Sequence, residues 1–318
     1  MKKNNKRSKN KGYALIFTTV SGEWLKNVEM QLKASTIANY KFLLEKHILP
    51  YFGALDMRSL TTSKINGFIV RKLSNGKLRH NEGVSIKYLR DILSIVKSVA
   101  RFCEDVYGIE CKIRYMKSLK AIKPRIRTLD TDEKRTLTDA LKADTTPEKL
   151  GIMLGLYTGL RIGEVCGLKW ADYNEKRSTI TINRTVQRIY NTNGGTVLHV
   201  GSPKTQSSHR EIPLPKLISD FLSKMKKSPE QPIVSETANY IEPGRLRRVF
   251  KSILKKCKIN DIRFHDLRHT FASDCVRLHF DTKALSEILG HSSVSLTLDR
   301  YVHSDLEAKR EYMQLIKA

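Results

Sequence analysis

The sequence predicts a mainly α-helical protein with a small antiparallel β-sheet, laid out as a helical domain followed by an α+β domain. Three observations lead there. Apolar residues recur at helical spacing along most of residues 13–119. The period shifts to two over residues 178–214, where short β-branched runs alternate with turn residues. After Pro215 the helical spacing returns. A chain of 318 residues is long enough for two domains, each with its own core.

Residues 1–12 form a lysine-rich polar tail with no apolar residue to anchor it beyond Met1, either solubilising or able to lie along a phosphate backbone. Val20, Trp24, Leu25 and Val28 then make one helical stripe. Ser35 is placed to cap a second helix bearing Ile37, Tyr40, Leu43 and Leu44, which runs to Pro50-Tyr51-Phe52-Gly53. Ile65, Phe68 and Ile69 belong to a third helix, broken at Asn75-Gly76. A longer fourth helix carries Ile86, Leu89, Ile92, Leu93, Val96 and Val99. Lysine and arginine cover the remaining faces, so residues 13–119 read as a compact helical module with a basic exterior.

Residues 117–128 contain Pro124 and little periodicity, as an interdomain linker does, and residues 120–318 read as the second domain. Asp130 with Glu133 three residues on is a capping-box start. A helix from Pro147 leads into the apolar run Leu150–Leu160, which stops at Arg161. Thr179–Ile182, Thr196–Val200 and Arg210–Leu214 read as three short strands, with turns at Asn193-Gly194-Gly195 and over residues 203–208. Helices return with the basic segment from Gly244 to Lys256, then around His265–Phe271, then before Gly290.

The charge is the strongest compositional signal. Lysine and arginine number 58 against 32 aspartate and glutamate, a net +26 and a pI near 9.9. Such a field draws polyanions, and nucleic acid is the usual one; an anionic membrane surface is the weaker alternative, because no amphipathic lipid-directed segment stands out. The longest apolar run falls well short of the about 20 residues needed to span a bilayer. The basic N-terminus is not followed by the apolar core of a secretory signal. Five cysteines, none in a CxxC pair, read as reduced thiols in a cytoplasmic protein without a zinc site.

Several residues stand out chemically. Arg161 interrupts apolar surroundings and needs a partner; Glu164 can be that partner in a structural pair, or Arg161 can await an anion brought by a substrate. Lys204 occupies a hairpin tip, where lysine is ordinarily just solvated. Arg245, Arg247 and Arg248 lie on the basic helix, suited to DNA phosphates or a major groove, or to plain solvent. His265 and His269 are spaced i, i+4, a near miss to the HExxH zinc motif, but the acid is Asp266 rather than glutamate and Arg268 sits beside it. The competing pattern puts His265 and Arg268 on one helix face, offering an imidazole and a guanidinium to one anion. Finally, His291 sits at a helix break after Gly290, and Tyr301 comes near the chain end beside His303.

Arg161 in Thr-Gly-Leu-Arg-Ile-Gly-Glu, Lys204 in Pro-Lys-Thr, His265-x-x-Arg268, His291 in Leu-Gly-His-Ser-Ser and Tyr301 in Arg-Tyr-Val-His resemble, in order, the motifs of the tyrosine recombinase (phage integrase) family. The resemblance covers residues 125–305, and His47–Gly53 resembles part of that family's helical, SAM-like core-binding domain. It implies a tyrosine-recombinase catalytic domain in which Arg161, Arg268 and His291 hold the scissile phosphate. Tyr301 is then the nucleophile that forms a 3′-phosphotyrosyl link, Lys204 the acid for the departing 5′ oxygen, and His265 the acceptor of the tyrosine proton. Glu164 stands behind them, orienting Arg161 or a histidine.

No metal or other cofactor is implied. The implied partners are double-stranded DNA core sites bound by a homotetramer on two sites, with room for an accessory DNA-bending or excision factor and no membrane. The implied setting is the cytoplasm, at the nucleoid. Many family members carry a further arm-binding domain, and here only the short tail precedes the first helix. Residues 302–318 form either a small docking helix or a frayed end. Integration or excision of a mobile element is the leading expectation. Xer-like dimer resolution, type IB topoisomerase-like relaxation and a catalytically idle DNA-binding protein are the alternatives.

Overall fold

The computed structural model describes residues 15–78, 82–111, 113, 127–203, 208–291, 293–295 and 313–314. The expected N-terminal tail, nearly all of the linker, Lys204, Tyr301, His303 and almost all of the C-terminal tail lie outside the described residues. The chain divides into two compact units: residues 1–124 with 189–197, and residues 125–188 with 198–318. Among the described residues no helix is long and apolar enough to cross a membrane, and the five cysteines are free thiols.

In the first unit, α1 (Phe17–Glu29) buries Phe17, Val20 and Trp24. The second helix begins as α2 (Ala34–Leu43), widens through a π-helical stretch at Leu44–Ile48, and finishes as α3 (Leu49–Phe52). Pro50 falls directly after the π-helical stretch, where the helical hydrogen-bond ladder is already interrupted. One expectation fails here: Lys33, in extended backbone, precedes the helix, and Ser35 lies inside it. α4 (Thr62–Asn75) is capped by Thr61 and α5 (Ile86–Tyr107) by Ser85. Their buried faces close a core of Phe52, Phe68, Leu89, Ile92, Val96 and Val99 on α1.

In the second unit, the Asp130–Glu133 capping box starts α6 (Thr131–Lys142) as expected. α7 (Pro147–Thr158) is buried almost all round and ends at Gly159. α8 (Ile162–Gly167) follows at once. The strands are β1 (Tyr173–Asn174), β2 (Thr179–Ile182), β3 (Thr185–Tyr190), β4 (Thr196–Gly201) and β5 (Arg210–Pro213), of which residues 189–197 at the far end of β3 and start of β4 count with the first unit. They form two sheets rather than one: an antiparallel β1-β2-β5 sheet and a separate β3-β4 ribbon. The Asn193–Gly195 turn therefore closes β3 onto β4, and β1 and β3 are strands absent from the sequence reading. Val186 is the ribbon's fully buried residue and the others are half-buried or exposed, so it lacks the in–out alternation that announces a strand packed on a core.

α9 (Lys216–Met225), α10 (Pro243–Lys256), α11 (Phe264–Arg277) and α12 (Thr282–Leu289) complete the unit. The α11 helix lies directly against α7 because Gly155 has no side chain: a Cβ there would stand 2.9 Å from the Phe264 ring. A second such approach occurs at Gly151, where a Cβ would meet Val234 at 2.5 Å. Gly151 and Gly155 thus share one face of α7, and Gly159, four residues further on, ends the helix.

Candidate active site: two arginines and two histidines at three helix ends

Gly159 ends α7 in the left-handed region at φ 66°, a conformation glycine adopts without steric cost. The reversal frees its carbonyl, which accepts from Arg268 Nη1 at 2.9 Å. Phe264 packs on Gly155 and Arg268 reaches Gly159, so the contact advances by one turn on both helices. Arg268 is 2% exposed, and this anchoring holds its guanidinium in one place.

Two residues beyond Gly159, Arg161 stands in extended backbone at the start of α8. Its amide donates to Glu164 Oε2 at 2.9 Å and its Nη1 to Glu164 Oε1 at 2.8 Å. Its Nη2 reaches the Gly290 carbonyl at 3.3 Å. The Arg161 side chain keeps 37% of its surface open to solvent, whereas Glu164 is buried. Gly163 lets β3 come close, since a Cβ there would lie 2.5 Å from the Thr185 hydroxyl. Each glycine in the Thr-Gly-Leu-Arg-Ile-Gly-Glu segment therefore has a structural cause.

Gly290, at φ 62°, ends α12 just as Gly159 ends α7, and His291 comes next, its amide donating to the Ser286 carbonyl at 3.0 Å. The Arg161–Gly290 bond ties the second arginine to the turn that carries His291. His265 lies one turn before His269 on α11, the two rings meeting edge-on with centroids 4.8 Å apart. Desolvation, then the positive fields of His269, Arg268 and Arg161, lower the His265 pKa to about 4. An imidazole kept neutral near two guanidinium groups can accept a proton beside a bound anion. Asp266 does not serve as a metal-motif acid: it accepts from the Arg263 amide at 2.8 Å and pairs with the Arg263 guanidinium at 2.8 Å.

The structure thus brings Arg161, Glu164, His265, Arg268 and His291 to adjoining chain turns of one unit, while Lys204 and Tyr301 lie outside the described residues. Arg247 and Arg248 are exposed on α10, and Arg245 is engaged, its Nη2 2.9 Å from Glu148 Oε1. One residue of the site escaped the sequence reading. Arg210, at the start of β5, has a side chain only 7% exposed and bonds Glu164 through Nη2 at 3.2 Å and Nη1 at 3.3 Å. A signal existed: in a strand, residue 210 shares a face with Ile212 and Leu214, both buried, so its guanidinium had to point inward. Glu164 thereby faces two cations. Burial pushes its pKa up, but Arg210 and Arg161 outweigh that and leave it below the ordinary carboxylate value.

Comparison with known proteins identifies the family. Residues 127–308 match the phage integrase family, and residues 16–73 match its N-terminal SAM-like domain. A protein named tyrosine recombinase XerC-like from Caldanaerobacter subterraneus subsp. tengcongensis is 24% identical, over 87% of this chain and 76% of its own length. The ICEBs1 integrase of Bacillus subtilis is 25% identical, over 92% and 80%. Among solved structures, the Tn1549 transposon integrase in complex with transposon right end DNA superposes with a TM-score of 0.73 at 20% identity, covering 94% of this chain and 99% of that one. At that identity the structural likeness speaks for the fold, and the family match, which spans more than half of the chain, speaks for the chemistry. The chain belongs to the phage integrase family and is a tyrosine recombinase, an enzyme of site-specific DNA recombination.

Proposed function

We propose that this recombinase integrates or excises a mobile element by exchanging strands between two double-stranded DNA sites, in the cytoplasm at the nucleoid. Residues 13–119 serve as the core-binding domain and residues 120–318 as the catalytic domain. The observation that carries the reading is that Arg161 and Arg268, held at neighbouring helix ends, both act on His265 and help keep it neutral, with His291 on the turn that Arg161 grips. Two guanidinium groups bind the non-bridging oxygens of a phosphodiester and stabilise the charge of its trigonal-bipyramidal transition state. His291 adds a hydrogen bond.

Tyr301 attacks phosphorus and passes its phenolic proton to His265. The bond to the 5′ oxygen breaks, and Lys204 protonates that oxygen as it leaves. The 3′-phosphotyrosyl ester keeps the energy of the broken bond, so a 5′ hydroxyl from the other duplex can reverse the step and reseal the strand without ATP. Exchanging two duplexes cuts four strands, one tyrosine to each, which calls for a homotetramer on two core sites. Arg247 and Arg248 contact the DNA from α10, and Arg245 joins them if DNA draws it from Glu148.

The test is capture of covalent protein–DNA adducts under denaturing conditions, from cells making the wild type or Tyr301→Phe, with the trapped DNA sequenced. Adducts at one recurrent site, absent from Tyr301→Phe, are the expected result. Tyrosine-dependent adducts scattered over the genome would replace the reading by type IB topoisomerase-like relaxation. A recurrent site in a chromosomal locus unlinked to any element would favour dimer resolution. Adducts undiminished in Tyr301→Phe would remove Tyr301 as nucleophile.

A further inference from the structure

We propose that Arg210 is a positioning residue for the strand-transfer reaction: one buried guanidinium sets Arg161 and His291 in register with each other. The inference rests on the roles given above to those two residues. Arg161 is reached through Glu164, whose carboxylate lies between both arginines, 2.8 Å from Arg161 Nη1 and 3.2 Å from Arg210 Nη2. His291 is reached through the end of α12, where Arg210 Nε donates to the Ile288 carbonyl at 2.6 Å. The guanidinium also fills the space beside the next turn: a Cβ at Gly290 would stand 2.9 Å from Arg210 Nη1. A further bond, Nη1 to the Ser208 carbonyl at 3.1 Å, fixes the chain where it enters β5.

Three features make this more than a structural ion pair. Arg210 spends its donors on the segment behind Arg161, the segment before His291 and its own strand entry, so no single one of these shifts without it. Its side chain is 7% exposed against 37% for Arg161, so the buried arginine holds the carboxylate and the open one stays turned toward an incoming phosphate. The planar fork is also required, since lysine has the charge but not the spread of donors to reach Glu164, Ile288 and Ser208 together. Without Arg210, Glu164 draws on Arg161 alone and pulls it from the anion site, while the Ile288–His291 turn loses its brace.

The test compares wild type, Arg210→Lys and Arg210→Ala in two ways. In the DNA-free protein, side-chain and backbone ¹⁵N signals report Arg161 Nε and the His291 amide, assigned with Arg161→Lys and His291→Gln. On the DNA captured with the wild type, single-turnover cleavage is measured at saturating protein, with DNA affinity measured separately. Arg210→Lys is expected to stay folded, to move both ¹⁵N signals, and to lose about a hundredfold in cleavage rate with affinity within about threefold of wild type. A 5′-bridging phosphorothiolate, whose thiol leaves without an acid, should not restore that rate, because the defect lies in holding the phosphate. A folded Arg210→Lys with both signals unmoved, or with cleavage at the wild-type rate, overturns the proposal. Arg210→Ala, if folded, is expected to exceed Arg210→Lys in both effects; if it unfolds, Arg210→Lys alone decides. Should cleavage prove independent of Tyr301, the reading of the reaction falls, and the ¹⁵N arm still decides whether Arg210 holds Arg161 and His291 together.

Discussion

Arg268 donates to the carbonyl of Gly159 at 2.9 Å across 109 residues of sequence, and this bond joins the helix that carries Arg268 to the turn that leads into Arg161. It exists because Gly159 turns the chain at the end of α7 and because Gly155, one turn earlier, lets α11 lie close. Removing the turn should therefore disturb both arginines at once. In Gly159→Ala the backbone would keep a φ of 66° that alanine resists, and the new Cβ would stand 2.6 Å from Phe271 and 2.8 Å from Leu289. A loss of more than about 2 kcal/mol in chemical denaturation is expected from backbone strain and overpacking together. A loss within about 0.5 kcal/mol would mean that the close packing around Gly159 yields easily.

Glu164 tests the opposing charges. Glu164→Ala leaves the Arg161 and Arg210 guanidinium groups facing a void without the carboxylate they share, and a loss of about 3–5 kcal/mol is expected. Glu164→Gln keeps the shape and an acceptor oxygen and should lose less. Equal urea midpoints for the two variants would show that charge, not volume, is what Glu164 supplies.

Acid should weaken the first unit through His47. That residue is 2% exposed, its Nδ1 lies 3.3 Å from Lys72 Nζ and its Nε2 3.0 Å from the Tyr88 hydroxyl. Burial first, and the Lys72 charge second, lower its pKa from 6.5 to about 4. The folded state thus binds fewer protons than the unfolded state between those values, so stability is full above pH 6.5 and falls as pH drops toward 4. The loss for His47 is on the order of 3 kcal/mol by pH 4. His265, lowered to about 4 as well, shares the same window in the second unit. Urea unfolding of His47→Gln should show a shallower decline between pH 6.5 and 4.5 than wild type; an unchanged slope would mean His47 is already charged in the folded protein.

Salt should separate the arginines of α10. Arg247 and Arg248 are exposed, while Arg245 is committed to Glu148. If the first two contact phosphates, Arg247→Ala and Arg248→Ala should each reduce the slope of log affinity against log salt by about 1. Arg245→Ala should reduce it by less, because its ion pair must first be broken. Fluorescence anisotropy over a salt series with duplex DNA checks this, and three equal slope changes would discard the distinction.

What could be read in the sequence follows from how local each signal is. Helices with one face on a core announce themselves by period, and α1, α4 and α5 lie where their apolar stripes put them. The Asp130–Glu133 cap needs only residues three apart. Ser35 was misplaced because several polar residues near the turn can precede a helix, and which one does depends on where the chain enters it. The β3-β4 ribbon was half missed because, apart from Val186, its residues are half-buried or exposed and carry no clear alternation. Arg210 was overlooked although its strand pattern pointed it inward, since its partner Glu164 is 46 residues away.

The sequence by itself determined the family: Arg161, Lys204, His265, Arg268, His291 and Tyr301 stand in the order whose resemblance implies the chemistry, and a charge of +26 calls for a polyanion. Residue order and charge exist before folding. Only the tertiary structure decided that Arg161 reaches the Gly290 carbonyl, that Arg268 hangs from Gly159, and that Glu164 is shared by two arginines. Each of these joins a glycine-made helix end or a buried charge to a residue far along the chain. No local pattern encodes such pairs, because their energy comes from burial and from the removal of water, which only the packed fold supplies.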